Sequence, residues 1–243
     1  MKKFELTSES IVKFGRTLYR IRALAAFGNV KEGELGGFLE KEENLAQDGN
    51  AWVGKNATVC ENATVRGNAT VSGYATVCGD ATVCGYATVC GDATVCGYAT
   101  VCGDATVRGY ATVCENATVR GYATVCENAT VRGNATVSGY ATVCGYATVR
   151  GYATVSGDAW VFKTSHYLVI GPMGSRNGFT TFFRTKKLFI GVACGCFKGN
   201  VDEFVEKVKE THGDNKHAKA YLAATELAKM QIDLTPEENE PEE

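Results

Sequence analysis

A mainly β chain built as a parallel β-solenoid is the fold this sequence predicts, and three observations predict it. A six-residue unit runs from Ala51 to Thr164, nineteen times without an insertion, as in Ala57-Thr-Val-Cys-Glu-Asn62 and Ala147-Thr-Val-Arg-Gly-Tyr152. A fixed short period of this kind marks a solenoid. Inside the unit, small or apolar residues alternate with polar ones, so Ala and Val point inward while Thr and the residue after Val point outward. The last two residues form a corner with its own substitution rule. Its first residue is Gly in most copies; where it is Lys55, Glu61, Glu115 or Glu127, the second is Asn. A corner needing one positive φ, supplied by Gly or Asn, explains the pattern. Lys163-Thr164 departs from it, where the solenoid is expected to end.

Three six-residue sides make a coil of eighteen, so residues eighteen apart stack as in-register neighbours roughly 4.8 Å apart. About six coils then form a rod of roughly 30 Å. Open solenoid ends would template further strands, so caps are required. Trp52 and Trp160, which interrupt the threonine column in the first and last hexads, are the expected cap contacts.

Residues 1–38 read as an N-terminal β cap. Phe4–Leu6 and Ile11–Phe14, then Gly15-Arg16, then Leu18–Leu24 predict a short sheet with a hairpin. Leu39 and Leu45 fall in phase with the inward alanines, which starts the solenoid, 39–164, near Leu39. Residues 165–234 leave the repeat. Tyr167–Ile170, Phe179–Phe183 and Leu188–Ala193 read as three strands, followed by a helix capped by Asn200 with Glu203 in the capping box. Gly213 ends that helix and Asp214 is expected to cap a second, giving a βββαα domain. The tail 235–243, with two prolines and five acids, is predicted to be disordered.

The passage from Val30 through Gly36-Gly37-Phe38, Leu45, Gln47, Gly49-Asn50 and Trp52-Val53 resembles the lead-in of hexapeptide-repeat proteins of bacteria and their prophages, some of which carry an acyltransferase designation. With the hexads, the resemblance covers roughly residues 18–165 and implies a left-handed β-helix. The module after it resembles a domain found at the C-terminus of prophage hexapeptide proteins. In the hexapeptide acyltransferases, acyl-CoA binds between coils, a solenoid histidine acts as base and a loop thrown out between coils shapes the site. Here His166, His212 and His217 all lie beyond the repeat, and the hexads leave no room for such a loop. No catalytic residue is carried over, and fold alone does not give function.

The formal net charge of −2 over 243 residues argues against a nucleic-acid partner. No signal peptide or long apolar run is read, which places the protein in the cytoplasm and off the membrane. Nine of the eleven cysteines follow valine and face outward; Cys60, Cys78, Cys96 and Cys114 form one column, with Cys84–Cys102 and Cys126–Cys144 in the other two. In-register stacking holds Cβ atoms about 4.8 Å apart, beyond the ~3.5–4.5 Å of a disulfide, so free thiols are expected. A straight column also lacks the compact four-ligand cluster of structural zinc, and no metal or cofactor is predicted. Cys194-Gly-Cys196 reads as packing at a strand end. The Asn-Ala-Thr triplets are corner Asn plus the next strand, not glycosylation sites. The threonine columns lack the paired flat ladders of ice-binding solenoids. Corner tyrosines beside Arg132 and Arg150 could stack on bases or carbohydrate, but they are expected to pack on each other's backbones.

Outside the repeat, the segment of most chemical interest is Gly171-Pro-Met-Gly-Ser-Arg-Asn-Gly178. Its glycines expose N–H groups, Ser175 and Arg176 add donors, and Arg184 and Lys198 complete a candidate anion or nucleotide site. A hairpin closed by Asn177-Gly178 accounts for the same residues without a ligand. The leading expectation is a non-enzymatic rigid scaffold whose C-terminal module binds a protein partner, with self-association, such as a trimer, through flat faces. The alternatives are a small-molecule or nucleotide binder and, third, an acyltransferase.

Overall fold

The computed structural model describes residues 2–236. Nineteen two-residue strands, from Trp52–Val53 to Trp160–Val161, lie on three faces. All but the last three pair in parallel with the strand eighteen residues on, as in Thr94↔Thr112 and Val95↔Val113. The Ala and Val columns are fully buried and form one continuous core. Backbone N–H groups donate to carbonyls of the next coil, for example Thr94 to Ala111 at 2.9 Å.

The corners follow a different rule from the one expected. From Glu61 to Gly157 positive φ sits on the first corner residue whatever its identity, at Gly91 (73°) and equally at Glu61 (60°), Glu115 (62°) and Glu127 (57°). Asn62, Asn116 and Asn128 are not left-handed, and the Lys55-Asn56 corner has no positive φ at all. The company of Asn beside a non-glycine corner has no explanation in the backbone. Glycine prevails for a second reason besides φ: a Cβ on Gly91 would lie 2.9 Å from the backbone N of Gly109 in the next coil.

At the N-terminus, β1 (Phe4–Lys13) and β2 (Arg16–Ala23) form an antiparallel hairpin. Then β3 (Leu35–Leu39) pairs antiparallel with β2 and parallel with the hexad strand Thr58–Val59. The hairpin thus prolongs one solenoid face. Leu39 pairs with Val59, and Leu45 with Val65, so both leucines stand in the valine column rather than the alanine column. This corrects the phase by two residues: the lead-in coil spaces these partners by twenty, and regular spacing returns at Trp52↔Thr70. A leucine needs the volume of the valine position. The surplus chain around Gln47–Asn50 is held by Lys3, whose Nζ donates to the carbonyls of Asp48 (3.2 Å), Gly49 (3.4 Å) and Ala51 (3.0 Å). Trp52 meets Phe27 edge-on at 5.6 Å. The outward threonines are not uniformly open. Lys13 from the hairpin covers Thr58 and Thr76, donating to both hydroxyls at 3.1 and 3.2 Å.

The C-terminal sheet has four antiparallel strands, not three: Tyr167–Met173, Gly178–Arg184, Ile190–Cys194 and Phe197–Asn200. Its two faces serve different layers. Phe183 and Ala193 pack on the end of the solenoid core, with Tyr167 and Val169 beside them. Phe182, Ile190 and Val192 pack on helices α1 (Val201–His212) and α2 (Lys216–Gln231). The sheet is tied to the last coils by Thr154 N–H to Thr181 Oγ1 (2.8 Å), by Tyr167 Oη to Thr148 O (3.0 Å) and by Lys186 N–H to Asp158 O (3.0 Å). Asn200 caps α1 as expected, while α2 is capped by Asn215 and not Asp214; the Asn215 side chain accepts from the N–H groups of His217 and Ala218. Of the acidic tail 235–243, residues 237–243 lie outside the described residues. No helix among the described residues is long and apolar enough to cross a membrane.

One cysteine pair overturns the expectation of free thiols: Cys126 and Cys144 form a disulfide, with Cα atoms 4.7 Å apart. That separation lies inside the disulfide window of roughly 4.4–6.8 Å, so the in-register stack itself permits the bond. The expected tyrosine packing is also narrower than predicted. Tyr122 and Tyr140 stack at 5.1 Å, and Tyr152 stacks on Phe179, while Tyr74, Tyr86, Tyr98, Tyr110 and Tyr146 stand exposed.

Candidate ligand-binding cleft

Where the C-terminal sheet turns back beside its helices it leaves a cleft of about 500 Å³. One wall is the hairpin between the first two strands. Met173 pairs with Gly178, so the loop proper is Gly174-Ser175-Arg176-Asn177, with Asn177 N–H donating to Gly174 O at 3.4 Å. Gly174 has φ 72°, and a β-carbon there would collide with the Tyr221 hydroxyl, so only glycine fits. The second wall is the turn around Cys194–Phe197, and the third is the inner face of α1 with Tyr221 of α2.

Local sequence explains the rigidity of this frame. The Asn200 side chain accepts from the N–H groups of Asp202 and Glu203, and Glu203 Oε2 accepts from Asn200 N–H, all at 2.9 Å. That reciprocal cap fixes the start of α1 and so places Phe204, Lys207, Val208 and Thr211 on its cleft side. Phe204 meets Phe197 at 5.2 Å and Tyr221 edge-on at 5.6 Å. His212 stacks on Tyr221 at 5.7 Å.

The lining is apolar at depth and basic at the mouth. Phe179, Phe197, Phe204 and Val208 supply the body, and Arg176, Lys207 and His212 the rim; among the described residues no carboxylate lines it. Lys207 also pairs with Glu210 at 2.8 Å. Arg176 has no ion-pair partner among the described residues. Burial pushes the Tyr221 phenol up to about 12, and the neighbouring Cys194 adds to the shift while Arg176 opposes it. The Cys194 sulfur accepts from Thr180 Oγ1 at 3.1 Å. The interior is thus a neutral, hydrogen-bonding pocket under a cationic lip.

The four residues expected to bind an anion do not share this site. Ser175 and Arg176 line the cleft. Lys198 lies in a separate depression of about 330 Å³ against the solenoid end, with Asp158 and Glu203. Arg184 is fully buried between the two layers, donating from Nη1 to Trp160 O (3.5 Å) and from Nη2 to Thr235 O (3.4 Å), a structural position. Sequence reasoning missed Lys207, His212 and Tyr221. Phe204, Lys207 and Thr211 do recur at helical spacing, a signal that reads as core unless the facing sheet is known.

The histidines do not form an acyl-transfer site between coils. His166 is buried and closes the last coil by accepting from Phe162 N–H through Nδ1 at 3.2 Å, and His212 and His217 belong to the helices. Among the described residues no group of three or more His, Cys, Asp or Glu is placed to hold a metal ion. Compared with known proteins, the chain matches no family model and no curated protein.

Proposed function

We propose that this protein is a non-enzymatic binding protein, a rigid β-helical rod whose C-terminal module takes up a small organic anion with a flat aromatic or acyl body. The observation that carries the reading is Arg176 at the mouth of an aromatic-walled cleft, with neither an ion-pair partner nor a carboxylate on the cleft walls among the described residues. A volume of about 500 Å³ suits a small ligand. A carboxylate, sulfonate or phosphate would be gripped by the Arg176 guanidinium, with Ser175 and Lys207 adding donors. The flat body would lie against Phe204 and Tyr221. The solenoid serves as the spacer that holds this module at a fixed distance from the N-terminal cap. The kinship with bacterial and prophage hexapeptide-repeat proteins, and action in the cytoplasm, belong to the same proposal.

A protein partner is the second reading, and the exposed corner tyrosines favour it. Tyr74, Tyr110 and Tyr146 recur every second coil along one edge, each more than 60 % exposed. Exposed aromatic residues of this kind are over-represented in protein interfaces.

Native mass spectrometry on gently purified protein tests both readings, because a co-purified anion and a bound copy or partner give different added masses. Titration calorimetry with an aromatic carboxylate, an aromatic sulfonate and a nucleoside monophosphate tests the cleft directly. Arg176→Ala should weaken the tightest of these roughly tenfold or more, about 1.4 kcal/mol or above, as expected for a charge-assisted hydrogen bond. Equal affinity in wild type and an Arg176→Ala/Lys207→Ala variant would remove the cleft as the site.

A further inference from the structure

The cysteines of the solenoid are placed so that one disulfide can bridge every joint between five consecutive coils. Counting coils from Ala57, the chain divides into 57–74, 75–92, 93–110, 111–128 and 129–146. Cys126–Cys144, already bonded, joins the fourth coil to the fifth. Cys60–Cys78 spans the first joint, Cys84–Cys102 the second and Cys96–Cys114 the third. Each pair is separated by the same eighteen residues and belongs to neighbouring in-register strands, the geometry of the bonded pair. The four joints are bridged once each, on all three faces of the rod. Cys90 stands apart, stacked between Ser72 and Arg108 in its column.

The thiols are within reach of one another. In the longest column the adjacent Cys78 thiol holds Cys60 below the usual range and is itself pushed up to about 11 by Cys60. Cys60 is buried under Leu18 and Phe38, whereas Cys78, Cys84, Cys96, Cys102 and Cys114 are partly exposed. Every open pair therefore has a member that an oxidant can reach.

We propose that the rod carries an oxidisable disulfide ladder, in which Cys60–Cys78, Cys84–Cys102 and Cys96–Cys114 close under a peroxide to join Cys126–Cys144 and staple five coils in series. The step is balanced by the peroxide. The thiolate of the exposed member attacks one peroxide oxygen, breaking the O–O bond to give a sulfenic acid and, after protonation, water. The neighbouring thiol then attacks that sulfur, forming S–S and expelling the second water. Two thiols lose two electrons and two protons, and hydrogen peroxide is reduced to two waters. Each rung links neighbouring coils covalently, so the oxidised rod resists unfolding where the reduced rod opens coil from coil.

The test uses the full chain with Cys194→Ser and Cys196→Ser, which leaves nine cysteines, all in the solenoid. Reduced protein should show nine reactive thiols when denatured. After hydrogen peroxide treatment of the folded protein one should be left, Cys90, with a monomer on a non-reducing gel and a higher melting temperature. Three, five or seven remaining thiols, whether from a rung left open or from Cys78 bonding Cys96 instead, which doubles the second joint and leaves the first and third open, would overturn the ladder. Nine remaining thiols, sulfinic products or covalent dimers would overturn it as well. Cys78→Ser in the same background should leave two thiols, Cys60 and Cys90, and Cys102→Ser should also leave two, Cys84 and Cys90. Circular dichroism confirms that each variant is folded before oxidation.

Discussion

Glu127 adopts φ 57° at a corner where most coils place glycine, and its backbone carbonyl accepts from Tyr110 N–H at 2.8 Å. An L side chain in this region costs roughly 1–2 kcal/mol, part of which a glycine gives back through the freedom of its unfolded chain. Glu127→Gly should therefore stabilise the rod by about 0.5 kcal/mol, a melting shift of roughly 1–2 °C. Gly91→Ala should lower the melting temperature by more, because it adds the β-carbon that meets Gly109 as well as the φ penalty. Equal effects of the two would refute the crowding argument. Corner position was legible in the hexads, but which residue turns was not: Glu tolerates a strained φ when the coil above and below imposes it, and composition hides that. Lys3 offers a pH handle at the same scale. Burial brings its ammonium down to about 8 from 10.5. Between these values the unfolded chain binds more protons than the folded one, so the penalty is present in full below about pH 8 and fades as pH rises toward 10.5. Wild type should gain stability relative to Lys3→Met on going from pH 7 to pH 9.5, read as the difference between their urea midpoints. A constant difference would show that the Lys3 ammonium keeps its ordinary pKa in the fold and stays charged to pH 9.5.

Among the elements, α1 was readable because its cap is local: Asn200 and Glu203 are three residues apart and the bonds they make are made within one turn. Asn200→Ala should cost about 1 kcal/mol by chemical denaturation. It should also weaken cleft ligands, since Phe204 and Lys207 ride on that turn; unchanged affinity would show that the frame is set by the sheet alone. The strand Phe197–Asn200 was not readable. It is four residues long, contains a glycine and runs directly into the helix cap, so only its pairing with Ile190–Cys194 makes it a strand. The lead-in coil failed for a related reason. Periodicity predicts phase only while the spacing holds, and the surplus at Gln47–Asn50 is visible only once Lys3 is seen reaching its carbonyls. In the same way Ser175 and Arg176 were found as one loop, while the helix residues that complete the cleft, from Phe204 to Tyr221, lie 28 to 46 positions away in sequence.

For the whole molecule the decisive property is that coils are interchangeable while the ends are not. The Ala and Val columns are equally buried in every coil, and each inner strand bonds to the strands eighteen residues before and after it. Deleting Ala75–Asp92 therefore rejoins Tyr74 to Ala93 with the register restored. The loss to stability is one repeat and one interface out of a nearest-neighbour series, so the melting temperature should fall only slightly. The rod should shorten by one strand spacing, roughly 4.8 Å, measurable as a smaller radius of gyration by small-angle scattering. The cleft is built from the C-terminal sheet and its two helices, with no hexad residue in its lining, so the affinity for the same anion should be unchanged within error. Loss of binding in a folded deletion protein would mean that the ligand sits between coils, which would overturn the assignment of the cleft. Retained binding with loss of cellular function would instead show that the length of the rod is itself the functional quantity. Deleting a single hexad separates these further. The strands still find identical partners, but the C-terminal module turns by a third of a coil relative to the N-terminal hairpin. A partner that contacts both ends would then be lost, while the isolated cleft would bind as before.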